Sequence, residues 1–313
     1  MPIIEYIIGR LLQMLPVLIG VSLIAFLAIH LVPGDPVQIM MHGRATPAVL
    51  EAAHKELGLD RPLPVQYLRF VGGAIVGDLG TSIVQKAPVH DIIGERLGPS
   101  IFLLAYSAVL AVLMALPLAV VSALHAERPV DHAIRLASMV GFAMPPFWVG
   151  LLLMLFFGVT LSWFPVSGYG RTFVEHLWHL FLPSTTIALF LAPMLVQSLR
   201  SAMLDVMTAD YIEVARAKGL SRRRILFKHV LRNALIPVIT VLAVNIGWLL
   251  SGAVVVEYVF AFPGLGSLLV RAVGFRDYPV IQGLALVFAV LVMVINLLAD
   301  LSYMLIDRRV LRE

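Results

Sequence analysis

Apolar positions along the chain gather into six long runs, at 11–31, 100–124, 136–161, 177–199, 234–256 and 280–306. Each has the length that crosses a bilayer, since about 20 residues at a rise of about 1.5 Å span the hydrocarbon core. The pattern predicts an all-α integral membrane protein with six transmembrane helices. The first run is longer than the apolar core of a signal peptide, and Val32-Pro33-Gly34-Asp35-Pro36 after it offers no small-residue cleavage site. It reads as a retained helix.

Breaks in the pattern carry as much information as the runs. Pro145-Pro146 interrupts the third run, and Pro183 and Pro193 interrupt the fourth. Proline removes a backbone donor and kinks a helix, which a membrane tolerates where neighbours or a cavity satisfy the freed carbonyl. These interruptions either shape a translocation path or follow the general abundance of proline in membrane helices. Between the first two runs, Thr46 and Pro47 resemble an N-cap and first helical residue, 48–57 has helical spacing, and Gly58 supplies a stop. This short helix is either a docking element for an external partner or a lid on the helix mouths.

The segment 200–233 between the fourth and fifth runs is the most distinctive. Residues 201–218 lack proline and glycine, Gly219 ends them, and a basic helix follows from Ser221 until Pro237 marks its passage into the membrane. About thirty residues exceed the usual connection of roughly 2–8 between packed helices. A paired-helix projection suits a soluble partner; the competing reading is a basic amphipathic segment on lipid headgroups.

Composition and charge then fix the setting. Hydrophobic residues make up 60% of the 313 and charged residues 13%, against roughly a quarter charged in soluble domains. The mean hydropathy is +0.95. Zero cysteines exclude a disulfide framework, a thiolate metal site and a thiol nucleophile. The stretch 200–232 carries eight Lys/Arg against three acids; Arg10, Arg128, Arg135, Arg308, Arg309 and Arg312 fall on the same side if six helices alternate. The positive-inside rule makes that side, with both termini, cytoplasmic. The expected organisation is a first transmembrane helix in 1–31, an extracytoplasmic loop region in 32–99, a five-helix core in 100–306 that includes the loop 200–233, and a cytoplasmic tail in 307–313.

Catalytic chemistry is absent. None of the lysines (Lys55, Lys86, Lys218, Lys228) follows a glycine, so there is no phosphate loop and nucleotide must bind a separate subunit. Neither a Gly-x-Ser-x-Gly elbow nor a His-Glu-x-x-His zinc helix occurs. Glu175, His176 and His179 have ligand-compatible spacing, but their place at a helix start favours a solvated role, so no metal is expected. The chain reads as no enzyme. Lining candidates for a path are Gln197 and Ser198 on the fourth helix and Asn245 and Ser251 on the fifth, with Met144 and Phe147 forming an apolar constriction beside the proline pair. Glu257 is either a partner for a cationic group of cargo or a solvated helix terminus. The uncharged candidates serve equally as interhelical packing contacts.

The stretch Glu213-Val214-Ala215-Arg216-Ala217-Lys218-Gly219 resembles the Glu-Ala-Ala-x-x-x-Gly signature of inner-membrane permeases of binding-protein-dependent ATP-binding-cassette importers, with Val214 in place of the middle alanine. The signature's later Ile-x-Leu-Pro portion is not at its usual distance. Instead Asp210-Tyr211, His229, Leu231-Arg232-Asn233-Ala234 and Pro237 resemble the dipeptide/oligopeptide (peptide/nickel) branch. Pro33-Gly34-Asp35-Pro36, Gly77-Asp78-Leu79-Gly80 with Ser82, Phe262-Pro263-Gly264-Leu265-Gly266 and Arg276-Asp277-Tyr278-Pro279 match in order along nearly the whole chain.

The resemblance implies a permease subunit in a bacterial inner membrane that moves di- and oligopeptides by alternating access, with glutathione or nickel complexes as alternative cargo. It implies a second paralogous permease, two cytoplasmic ATPases that hold ATP and Mg, and an external solute-binding protein; no cofactor on this chain and no nucleic acid are expected. Asp210, Tyr211, Glu213, Ala215, Arg216, Ala217, Lys218 and Gly219 would couple to the ATPase, the small residues letting a partner surface approach the backbone. A secondary transporter or channel working without ATP is the more distant alternative.

Overall fold

The computed structural model describes residues 3–31 and 60–306. The turn Pro33-Gly34-Asp35-Pro36, the expected helix at 48–57 with its stop at Gly58, and Arg308, Arg309 and Arg312 lie outside the described residues. Among these, helices are joined by turns and irregular segments, and the one β contact is an isolated bridge between Thr81 and Pro88. Among the described residues five stretches are long and apolar enough to cross a membrane, and a sixth arises when a bent pair counts as one span.

The chain divides into two compact units. The first comprises Ile101–Phe262 and the chain from Ile295 onward. It holds most of α3 (Val89–Leu124), then α4 (Pro129–Ala143), α5 (Pro146–Leu153), α6 (Phe173–Met207), α7 (Asp210–Ala217) and α8 (Arg232–Val259). Helix α6 is its centre: Leu180, Leu191, Leu195, Leu199 and Met203 are fully buried along it. Helix α8 packs along α6, and α4 and α5 pack on it too. Ala111, Ala115, Ala119 and Ala123 recur every four residues as the buried stripe of α3, a small-residue face that admits close packing.

The proline pair of the third run does break its span. Helices α4 and α5 meet at 101°. A residue before proline is pushed out of the helical region, and Met144 accordingly takes φ −79°, ψ 131°. Pro145 then caps α5 and Pro146 fills its first position, where a missing N–H costs nothing. Helix α5 runs on as a π-helical stretch, Met154–Thr160. The fourth run behaves differently from expectation. Helix α6 passes uninterrupted through Pro183 and Pro193, both buried among its neighbours. Neither proline is preceded by a second one that would also fix the entering residue.

The second unit comprises the chain up to Ser100 and Pro263–Val294. It holds α1 (Ile3–Leu31), α2 (Leu63–Ile75), the start of α3, then α9 (Leu265–Gly274) and the first part of α10 (Tyr278–Ile306). Helix α2 is pinned to α1 by a 2.9 Å hydrogen bond between the Ser22 and Tyr67 hydroxyls and by Phe26 packing on the rings of Tyr67 and Phe70. The core is Val89, Ile92, Ile93, Leu265, Leu268, Ala272, Val280 and Leu284. Gly283 is required for this packing, since a Cβ there would lie 2.8 Å from Val89 Cγ1.

Two sequence stretches that lie nearly two hundred positions apart meet in this unit. Buried Asp277 accepts from Ser82 Oγ at 2.5 Å and from the Ile83 and Val84 amides at 3.1 and 3.4 Å. Ser82 Oγ in turn accepts from the Gln85 amide at 2.9 Å. One carboxylate thus closes the turn before α3 onto the start of α10.

Candidate coupling surface and translocation path

Helix α6 ends at Met207, where Thr208 Oγ1 donates to the Asp205 carbonyl at 2.9 Å. Extended Ala209 redirects the chain into α7. Asp210 and Glu213 in its first turn and Arg216 in its last suit the helix dipole. The stop is a Schellman motif: the Gly219 amide donates to the Arg216 carbonyl at 2.9 Å and the Leu220 amide to the Ala215 carbonyl at 3.2 Å. It requires a left-handed residue, and Gly219 has φ +74°.

Helix α7 is amphipathic. Ile212 and Ala215, three apart, enter the core of the first unit. Tyr211, Glu213, Val214, Arg216, Ala217 and Lys218 are exposed, with Tyr211 at 45% and Val214 at 52%. Glu213 and Arg216 make no ion pair among the described residues, so both charges face outward uncommitted. Ala215 differs from expectation: it faces inward, and only Ala217 and Gly219 leave the backbone approachable. A Cβ at Gly219 would meet nothing within 4 Å.

The basic segment is continuous with the fifth span. Ser221 caps the turn Arg222–Arg224, a π-helical stretch Ile225–Leu231 follows, and this runs directly into α8. Asn233 Nδ2 donates to the Tyr211 hydroxyl at 3.0 Å and ties α7 to the start of α8. Helix α7 is therefore held on one side by core burial and at one end by this bond, and presents its other face.

The path candidates occupy three places. Met144 is half-buried at the α4–α5 bend and Phe147 is exposed beside it. On α6, Gln197 is exposed and Ser198 half-buried. On α8, Asn245 Nδ2 donates to the Val241 carbonyl at 2.8 Å and Ser251 Oγ to the Gly247 carbonyl at 3.3 Å. Both polar groups bond within their own helix, and among the described residues neither bonds across to another. Glu257 overturns the solvated-terminus reading: it is 1% exposed. The chain turns back at left-handed Ala261, the Phe262 amide donates to the Glu257 carbonyl at 2.8 Å, and buried Phe260 and Phe262 close over this end. Glu175, His176 and His179 cap the start of α6: Glu175 accepts from the Arg171 amide, and the histidine rings bond to the Tyr169 and Ser167 carbonyls.

The residues that sequence reasoning missed are Asp131 and Arg200. Asp131 is fully buried in the first turn of α4 and receives Arg200 of α6 through two nitrogens, Ser122 Oγ of α3 and the Glu127 amide. In the sequence Arg200 reads only as one of the loop's positive charges. Sixty-nine positions separate the pair, and no local pattern marks either as a partner.

Comparison with known proteins identifies the family of this helical bundle. Residues 115–312 match the family described as the binding-protein-dependent transport system inner membrane component, and residues 3–105 match the family's N-terminal membrane component. The chain belongs to this family. It is 42% identical over 311 residues to the oligopeptide transport system permease protein AppB of Bacillus subtilis, covering 97% of this chain and 98% of that one. It is 41% identical over 303 residues to the glutathione transport system permease protein GsiC of Pectobacterium atrosepticum, covering 97% of each. Among solved structures, the inward-facing MetNI methionine ABC transporter aligns with a TM-score of 0.57 at 15% identity, over 69% of this chain and 96% of that chain; this likeness shows the fold. The protein is thus a multi-pass membrane permease component of a binding-protein-dependent transport system.

Proposed function

We propose that the chain is the permease subunit of an ATP-driven importer that carries peptides across a bacterial inner membrane by alternating access. Its relatives are named for oligopeptide and for glutathione, itself a tripeptide, and peptide cargo is common to both. The observation that carries the reading is α7, anchored by Ile212 and Ala215 while Tyr211, Glu213, Val214 and Arg216 face outward, the charges of Glu213 and Arg216 unpaired among the described residues.

In this reading α7 sits in a cleft of a cytoplasmic ATPase, and a second paralogous permease completes the path. ATP and Mg belong to the ATPases, because this chain has no phosphate loop. Closure of the ATPases moves α7 as a lever; α6 and α8, which flank it, shift between inward- and outward-facing arrangements. The basic loop and both termini are cytoplasmic, 32–99 is extracytoplasmic and meets the solute-binding protein, and Met144, Phe147, Gln197 and Ser198 lie along the path. Uptake of a labelled oligopeptide into proteoliposomes tests it. The reading requires uptake that depends on ATP, the ATPase chains and the binding protein; uptake by this chain and its paralogue without an ATPase would establish a channel or secondary carrier instead.

A further inference from the structure

The second unit contains a cavity of about 250 Å³ that opens to the surface beside the Ser82–Asp277 contact. Arg96 of α3, Arg271 of α9 and Gln85 line it, together with Leu268, Ala272 and Val280. Arg271 is exposed and makes no ion pair among the described residues. Its volume is below the roughly 300–1,000 Å³ that encloses a whole drug-sized ligand, so it accommodates one residue rather than an entire oligopeptide.

The chemistry of the walls selects what that residue carries. A guanidinium presents a planar fork that matches the two oxygens of a carboxylate. Val84, Leu268, Ala272 and Val280 supply apolar wall for the group that bears the carboxylate. Asp277 also borders the cavity. Its oxygens are already engaged by Ser82, Ile83 and Val84, and its fixed negative charge opposes a dianion more than a monoanion. Phe275, 68% exposed at the rim, adds an apolar surface for the group that follows.

We propose that this pocket receives the C-terminal residue of a peptide, its carboxylate on Arg271 and its side chain against Leu268, Ala272 and Val280. The proposal rests on the reading of peptide cargo. It makes Arg271 a specificity-determining residue for a free C-terminus, a role unrelated to the ATPase face.

Equilibrium binding to the full chain, co-purified with its partner subunits in nanodiscs, tests it with Ala-Ala-Leu and its C-terminal amide as probes. The acid should bind roughly ten-fold tighter than the amide, as expected for one charge-assisted hydrogen-bond pair. Arg271→Gln should abolish the difference and Arg271→Lys should retain part of it. Equal affinity for acid and amide, no binding of either, or a preference that survives Arg271→Gln overturns the pocket. Peptide uptake by the same complex separates this from the transport reading: an uptake-competent complex without acid preference sinks only the pocket, and acid-selective binding without uptake sinks only the transport reading.

Discussion

Arg200 holds Asp131 with two nitrogens, Nε on Oδ1 at 2.7 Å and Nη2 on Oδ2 at 2.6 Å. Ser122 Oγ at 2.5 Å and the Glu127 amide at 3.0 Å complete the carboxylate's partners. The end of α3, the start of α4 and the end of α6 are thereby joined within the first unit. Removing one partner of a buried pair leaves an uncompensated charge, which costs about 3–5 kcal/mol, whereas replacing both with apolar residues costs far less. Arg200→Met should therefore lower the thermal stability of the purified protein by that order. The Asp131→Leu/Arg200→Met double variant should be more stable than either single variant. An Arg200→Met protein that melts with the parent would show that the contact holds nothing together.

Asp277 organises the turn before α3. Asp277→Ala leaves the buried Ser82 hydroxyl without its acceptor, which costs about 1–3 kcal/mol, and releases the Ile83 and Val84 amides. Amide hydrogen exchange should accelerate at Ile83 and Val84 well before it does in α6. Unchanged protection at those two amides would mean the turn is held by its bridge to Pro88 alone.

Gly219 is needed for its backbone rather than for space. With φ +74° and nothing within 4 Å of a Cβ, Gly219→Ala should cost about 1 kcal/mol through conformation alone. Gly219→Asn, which tolerates the left-handed region, should cost less. Limited proteolysis after α7 should rank the three as Ala, Asn, Gly from most to least cleaved; equal cleavage of all three would remove the helix stop from the picture.

Gly150 on α5 is the opposite case. A Cβ there would lie 3.1 Å from Phe260 Cε2 and 3.4 Å from Thr186 Cγ2, so Gly150→Val should destabilise by about 1–3 kcal/mol through overpacking. Phe260→Leu in the same chain should recover part of the loss, which a double-mutant cycle measures. Strict additivity would separate the two residues.

What the sequence disclosed follows from what is local. Spans are set by length and apolarity, and the bend at Pro145-Pro146 by steric rules that two adjacent residues carry. Gly219 announced the end of α7 because only a left-handed residue closes a Schellman motif without strain. Four features depended on distant packing. Pro183 and Pro193 remain inside a continuous α6, where the surrounding core stabilises the helix through them. Ala215 faces inward because α7 lies against the π-helical stretch Ile225–Leu231, which composition does not reveal. Glu257 is buried where the chain turns back at Ala261 and the Phe262 amide returns to its carbonyl, and Asp131 finds Arg200 across sixty-nine positions.

Glu213 offers the most direct measurement of what α7 does. ATP hydrolysis and peptide uptake are to be recorded in the same proteoliposomes, with the parent and with Glu213→Lys in an otherwise complete transporter. Glu213 is exposed and unpaired among the described residues, so the substitution leaves the fold intact. Reversal of a charge that meets the ATPase should reduce uptake per ATP hydrolysed by roughly ten-fold or more, since an unfavourable charge at a docked interface costs a few kcal/mol. A fully assembled Glu213→Lys transporter with the parent's uptake and hydrolysis would show that α7 is not where the energy of ATP enters this chain.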